Sequence, residues 1–435
     1  MPPFIRSKPL QYLLLGTPIA AYFCFFFSYT VNYPFGDDYY FILDFFLDFF
    51  DSSATFSSRL AALFRPHNLG DYRPAFPKLI FLLDILLFGK VNFSRLQFYG
   101  NLNLLIITAL LWRSFRAEAN IKLIAFAPFV WLLFQLQYRP VTFWSTAAVV
   151  NLSSLTLNFW VLHILCKAEG RRILWSIPII LAGICTGGSA MLILPFGLIV
   201  MLYRKTGWRL IAPWLLCFAV FIALFFWHNP RPESNIHILL SQPQRILNFF
   251  FTNVGSLLGR KRLSPALSSA SIFAARLAGI AAVFWLVYLL YRKYWERNLY
   301  LLTMLAFLLA TCLLIAYGRI NIGEELALGN RNRIYSLLAM GIIYLLAFEF
   351  AKEKQRSIIW AFFLILGISS SLLSLRMDLP EVKSFSHDQK TAAKANALNP
   401  EKGNMVAEEA FGKVIMKRTQ ERGYYTVPDK LKQGP

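Results

Sequence analysis

Long apolar runs and short polar breaks alternate along most of this chain. Runs near the length that crosses the bilayer's hydrocarbon, roughly 20 residues each, fall at about 9–29, 96–112, 123–137, 147–166, 173–186, 189–203, 210–227, 271–291, 299–317, 334–350 and 358–375. They predict an all-α, polytopic membrane protein of about eleven transmembrane helices. The runs are nearly uncharged on every face and show no amphipathic stripe, which argues against core helices of a soluble protein. The run 173–186 is short, and the T-G-G-S join to the next, at 186–189, is tight.

Two shorter apolar pieces interrupt the first long connection, 30–95. F-I-L-D-F-F-L-D-F-F at 41–50 sets Asp44, Asp48 and Asp51 at helical spacing, as in a helix lying in the membrane interface. K-L-I-F-L-L-D-I-L-L-F-G at 78–89 is too short to span comfortably and predicts a second juxtamembrane helix, started after Pro77 and stopped near Gly89. Beyond residue 375 the chain turns polar, with Pro380, Pro400 and a helical stretch near 405–419. The expected division is a membrane domain, 1–375, and a short polar tail, 376–435, with few apolar groups for a core of its own.

Composition agrees: 57% of the 435 residues are hydrophobic. The net charge of +21 would point to nucleic acid in a soluble protein, but most Lys and Arg sit in short loops between apolar runs. Arg6 and Lys8 precede the first run. Basic loops then recur at every second connection: Arg113, Arg116 and Lys122; Lys167, Arg171 and Arg172; Arg204, Lys205 and Arg209; Arg292, Lys293 and Arg297; Lys352, Lys354 and Arg356. The positive-inside rule makes these cytoplasmic, with the N-terminus. The connections 30–95, 138–146, the turn near 187, 228–270, 318–333 and the tail are then extracytoplasmic, in a multi-pass protein of the inner (plasma) membrane. The first run lacks a small-residue cleavage site and reads as a retained helix. All five cysteines fall inside apolar runs without a C-x-x-C pair, so neither a disulfide framework nor a thiolate metal site is expected.

The outward connections hold the candidate chemistry. Asp37 and Asp38 are adjacent after Pro34 and Gly36. One of two repelling carboxylates suits a general base, and the pair would also suit a divalent metal such as Mg or Mn. The plainer reading is a helix N-cap before Tyr39. H-N-L-G-D-Y-R-P at 67–74 adds His67, Asp71 and Arg73: a base, a carboxylate, and a guanidinium able to clamp a phosphate. A polar Gly- and Pro-rich turn is the alternative. In 318–335, Arg319, Arg331 and Arg333 flank Glu324 and Glu325 on a loop where the orientation bias disfavours Arg. A lipid-linked phosphate would explain them, as would solvated Arg–Glu pairs. Arg260, Lys261 and Arg262 repeat that exception, where headgroup contact is equally suitable. Arg139 sits in an aromatic boundary segment and could join the anion site.

This layout resembles the GT-C superfamily of polytopic membrane glycosyltransferases, across about residues 1–375. The likeness is carried by a first helix followed by G-D-D at 36–38, a long outward loop with two juxtamembrane helices, D-Y-R-P-A-F-P at 71–77, and G-N-R-N-R-I-Y at 329–335 entering a helix. D-Y-R-P departs from the E-x-H-P-P-L form of some members. The resemblance implies inverting transfer of a sugar from a polyprenyl-phosphate donor to an extracytoplasmic glycan or lipid acceptor. Asp37, or else Asp38, would be the base. Arg73, Arg331 and Arg333 would stabilise the departing phosphate, and Asp71 and His67 would orient substrate. Some members use a metal and others do not. The rival readings are an envelope polysaccharide polymerase or ligase, a lipid or solute flippase-type transporter, and an inactive scaffold of the same fold. Transporters of many families show inverted repeats and mid-membrane polar residues; this chain shows no repeat, and its polar residues cluster at one face.

Overall fold

The computed structural model describes residues 7–66, 73–226, 235–260, 265–321 and 323–432, and every regular element among them is helical. Among the described residues, each apolar run of the sequence is helical over most of its length. Among the described residues, seven helices are long and apolar enough to cross a membrane: Lys8–Tyr29, Ser145–Lys167, Trp208–Phe226, Ala266–Tyr291, Trp295–Arg319, Asn330–Phe350 and Glu353–Leu398. Seven is thus the count that length and composition support, against the eleven expected. Phe93–Ser114 has the length, but Arg95, Gln97, Asn101, Asn103 and Arg113 dilute its apolar content. Lys122–Leu133, Ser176–Ile184 and Gly188–Tyr203 are short.

The connection 30–95 folds back on itself. Tyr39–Asp44 forms a wide helical turn that runs into Phe45–Phe49, and Phe56–Phe64 follows, capped where Thr55 accepts from the Ser58 amide. Ala75–Phe88 stops at Gly89, whose φ of 74° is the left-handed geometry glycine tolerates. Leu79, Leu83, Leu86 and Leu87 leave an exposed apolar face on that helix.

The largest core is built around Lys122–Leu133, Ser145–Lys167, Trp295–Arg319 and Arg333–Phe350. A second core joins the 30–95 connection to the C-terminal segment: Tyr33, Tyr39 and Phe46 pack with Ala393, Ile415, Met416 and Tyr425. The boundary expected at 376 falls inside one continuous 46-residue helix, Glu353–Leu398. Past it, the chain returns onto the first connection. The Gly36 amide donates to the Met405 carbonyl (2.7 Å), and Val91 to that of Tyr424 (3.0 Å). The Tyr425 hydroxyl donates to the Asn32 carbonyl (2.8 Å). The tail completes a core whose other half lies near the N-terminus.

Two groups of connections meet in separate places. In one, buried Glu349 accepts from the Arg116 amide (2.7 Å), the Tyr294 hydroxyl (2.8 Å) and the Asn298 side chain (3.0 Å). In the other, residues of 30–38, 135–144, 256–260, 329–333 and 378–388 converge.

Candidate functional site

The two adjacent aspartates occupy different environments. Asp38 is 1% exposed. One oxygen accepts from the Thr146 amide (2.8 Å) and hydroxyl (2.6 Å), the other from the Phe35 amide (3.1 Å). It fastens the first connection to the start of the Ser145–Lys167 helix. Burial pushes its pKa up to about 7, against the pull of those donors. Asp37 is half-buried, and its carboxylate takes no hydrogen bond from another described side chain. Of the expected catalytic pair, Asp37 alone keeps its oxygens available. Gly36, with φ of 54°, makes the turn that splits them, and a Cβ there would stand 3.1 Å from the Trp144 ring.

Beside this turn is a cavity of about 450 Å³, with Phe35, Phe143, Trp144 and Phe385 on its walls. Arg139 and Glu381 form an ion pair in the same wall, with Ser384 and Asp388 nearby. Phe35 meets Trp144 and Phe385 edge to face, at 5.3 and 4.9 Å between ring centres. The Arg331 guanidinium lies 4.8 Å from the Trp144 ring centre, a cation–π contact. The Trp144 indole N–H is buried without a partner among the described residues.

A second cluster adjoins these segments and is almost wholly shut from solvent. Arg260 and Arg333 are 4% and 3% exposed. Both donate to the Gln137 side-chain oxygen, at 3.0 and 3.4 Å, and Arg333 also donates to the Gly259 carbonyl (3.0 Å). Asp378 lies 4.0 Å from Arg260 and accepts from Ser374 (2.8 Å). Nε and Nη2 of Arg260 and Nε of Arg333 are buried with no partner among the described residues. Each buried, unsatisfied donor costs about 1–3 kcal/mol, more when charged. Two guanidiniums facing one carboxylate therefore form a cradle that an anion would complete. Three segments serve both clusters: Gln137 and Arg139, Arg333 and Arg331, Asp378 and Glu381 each put one residue in the cradle and its neighbour at the aromatic cavity.

The other expected residues are placed differently. Arg73 donates through Nε to the Phe225 carbonyl (2.9 Å) and through Nη1 to that of Phe64 (3.1 Å). It ties the carboxyl ends of two helices instead of pointing at the cradle. Arg319 is half-buried at the end of Trp295–Arg319. His67 and Asp71, with Lys261 and Arg262, lie outside the described residues. Among the described residues, no group of three or more His, Cys, Asp or Glu is placed to hold a metal ion. The oxygens of Asp38 are already engaged, which leaves Asp37 as the available half of the proposed Mg or Mn pair.

Trp144, Asp378 and Glu381 escaped the choice of site residues. Trp144 looks like any interfacial aromatic, and the two acids fall in a stretch whose polarity reads as tail. The one usable signal is Ser374 and Asp378 at i, i+4 on a helix that is still apolar. No protein-family model matches the chain, and no curated protein or solved structure proves similar to it.

Proposed function

We propose that the chain is a membrane glycosyltransferase that takes a sugar from a polyprenyl-phosphate donor and passes it to a glycan or lipid acceptor at the extracytoplasmic face. The observation that carries this reading is the buried Arg260–Arg333 cradle, with N–H groups unpaired among the described residues, adjoining an aromatic cavity whose wall includes Phe35, two residues before Asp37. The cradle suits the donor phosphate. Flat aromatic walls and the Arg139–Glu381 pair suit a sugar, whose C–H faces pack on rings and whose hydroxyls bond to charged groups.

In this reading Asp37 removes the proton of the acceptor hydroxyl. That oxygen attacks the anomeric carbon from the face opposite the phosphate, and the carbon–oxygen bond to phosphate breaks with inversion. Charge builds on the departing phosphate, and Arg260 and Arg333 neutralise it from a fixed, water-poor position. Arg331 and Arg139 border the sugar. Asp38 positions Asp37 through Thr146 and takes no part in proton transfer.

The test uses full-length protein in vesicles with polyprenyl-phosphate hexoses as donors, read by mass spectrometry of new glycosidic products. Transfer is expected from wild type. Asp37→Asn should abolish it, and Arg333→Met should reduce it at least a hundredfold, both variants remaining folded. Movement of labelled lipid across the vesicle without any product would overturn the reading in favour of a transporter. Undiminished transfer by Asp37→Asn would remove Asp37 as the base.

A further inference from the structure

The Pro265–Tyr291 helix carries a single charge, Arg276, near the middle of its 27 residues. A guanidinium in a membrane-spanning stretch is costly, so its presence calls for a partner. Arg276 lines a cavity of about 350 Å³ between this helix, Pro243–Val254 and the turn Glu324–Leu328. Its Nε is buried and finds no partner among the described residues. Asn248, Thr252 and Ser268 bring an amide and two hydroxyls to the same cavity, and Glu325 brings a carboxylate. Phe273 and Leu277 on one helix and Leu247 on the other are exposed apolar side chains flanking these residues.

The cavity walls are held rigidly. Gly255 packs against the backbone of Ala275 and Gly279 against that of Phe251, with no room for a methyl group at either. This site is not the cradle described above. Ser268 lines the cavity, yet its hydroxyl bonds to the backbone carbonyl of Arg260 (3.3 Å), whose guanidinium reaches Gln137 instead.

We propose that this cavity binds a phospholipid whose headgroup carries both a phosphate and a primary ammonium. The phosphate pairs with Arg276 and takes further hydrogen bonds from Thr252, Ser268 and Asn248. The ammonium faces Glu325, and the acyl chains follow the apolar flank at Phe273 and Leu277. The site needs no sugar chemistry and stands or falls apart from the glycosyltransferase reading.

The test is native mass spectrometry of the full chain released from nanodiscs containing phosphatidylethanolamine, phosphatidylglycerol or phosphatidylcholine. Wild type should retain one more phosphatidylethanolamine than Arg276→Gln, with at least a tenfold difference in bound fraction. Arg276→Lys should retain part of it, and Glu325→Gln should shift preference toward phosphatidylglycerol. Equal unfolding temperatures in phosphatidylcholine nanodiscs show that the variants are folded. Equal retention by wild type and Arg276→Gln overturns the site. Equal retention of phosphatidylglycerol and phosphatidylethanolamine by wild type overturns the ammonium match. Displacement of the retained lipid by inorganic phosphate alone would show that the cavity selects the ion and not the lipid.

Discussion

Asp38 should give the protein a pH-dependent stability that Asp38→Asn removes. The carboxyl ionises near its ordinary value of 3.8 when unfolded and at about 7 when folded. Between those values the folded chain holds a proton that the unfolded chain releases. The stability belonging to this group is therefore fully present below pH 4, falls as pH rises, and levels off above pH 7. At ~1.36 kcal/mol per pKa unit, the fall is about 4 kcal/mol. Asparagine keeps an oxygen for the Thr146 amide and hydroxyl, but turns an N–H toward the Phe35 amide. Below pH 4 the variant should be weaker than wild type by about 1–3 kcal/mol, the cost of one unsatisfied buried donor. By about pH 8, where wild type bears the full cost of its buried charge, the order should reverse, with the variant ahead by about 1–3 kcal/mol. Lys78 acts in the opposite sense and in a different window. Burial first, then Arg65, lowers its pKa from 10.5 to about 7, so its share of stability rises with pH above 7. The measurement is therefore the difference between variant and wild type, taken in detergent at each pH from 4 to 9. Opening can be followed by reaction of a thiol dye with Cys166 and Cys312, both buried. Parallel curves for the two proteins across that range would refute the assignment of a buried, titrating Asp38.

Arg73→Met should lower unfolding stability by about 1–3 kcal/mol, because the carbonyls of Phe64 and Phe225 lose their shared donor; Arg73→Lys should recover part of it. Calorimetry in detergent checks this, and unchanged stability would return Arg73 to the list of candidate substrate ligands. Truncation after Leu398 should expose Tyr33, Tyr39 and Phe46 and leave their cluster half-built. The expected result is a polydisperse protein on size exclusion, with the purified tail supplied in trans restoring a single peak. A monodisperse truncated protein would mean that the first connection folds unaided.

The helices are legible from sequence for a physical reason. Without water to satisfy it, a backbone in hydrocarbon must bond to itself, so an apolar run near the right length is helical whatever else surrounds it. The number of crossings is less legible. Gly183 to Gly188 and Leu133 to Leu136 break helices inside apolar stretches, where hydrophobicity hardly changes. What was legible is a neighbourhood: the segments that hold Asp37, Arg139, Arg331 and Arg333 do come together. Individual roles were not. Asp37 and Asp38 are chemically identical neighbours, and only Thr146, far along the chain, makes one of them a fastening and leaves the other available.

The same logic applies to the arginines. A guanidinium offers five donors in a rigid fork, and its meaning lies in what fills them. Backbone carbonyls accept from two nitrogens of Arg73, which becomes a clasp between helix ends, although its Nη2 is also without a partner among the described residues. Gln137 and Gly259 fill only part of Arg260 and Arg333, although both are more deeply buried than Arg73. Burial normally drives a polar group to complete its bonds. The Arg260–Arg333 cradle is closed to solvent and still short of acceptors among the described residues, and that shortfall is what supports the proposed donor-phosphate site.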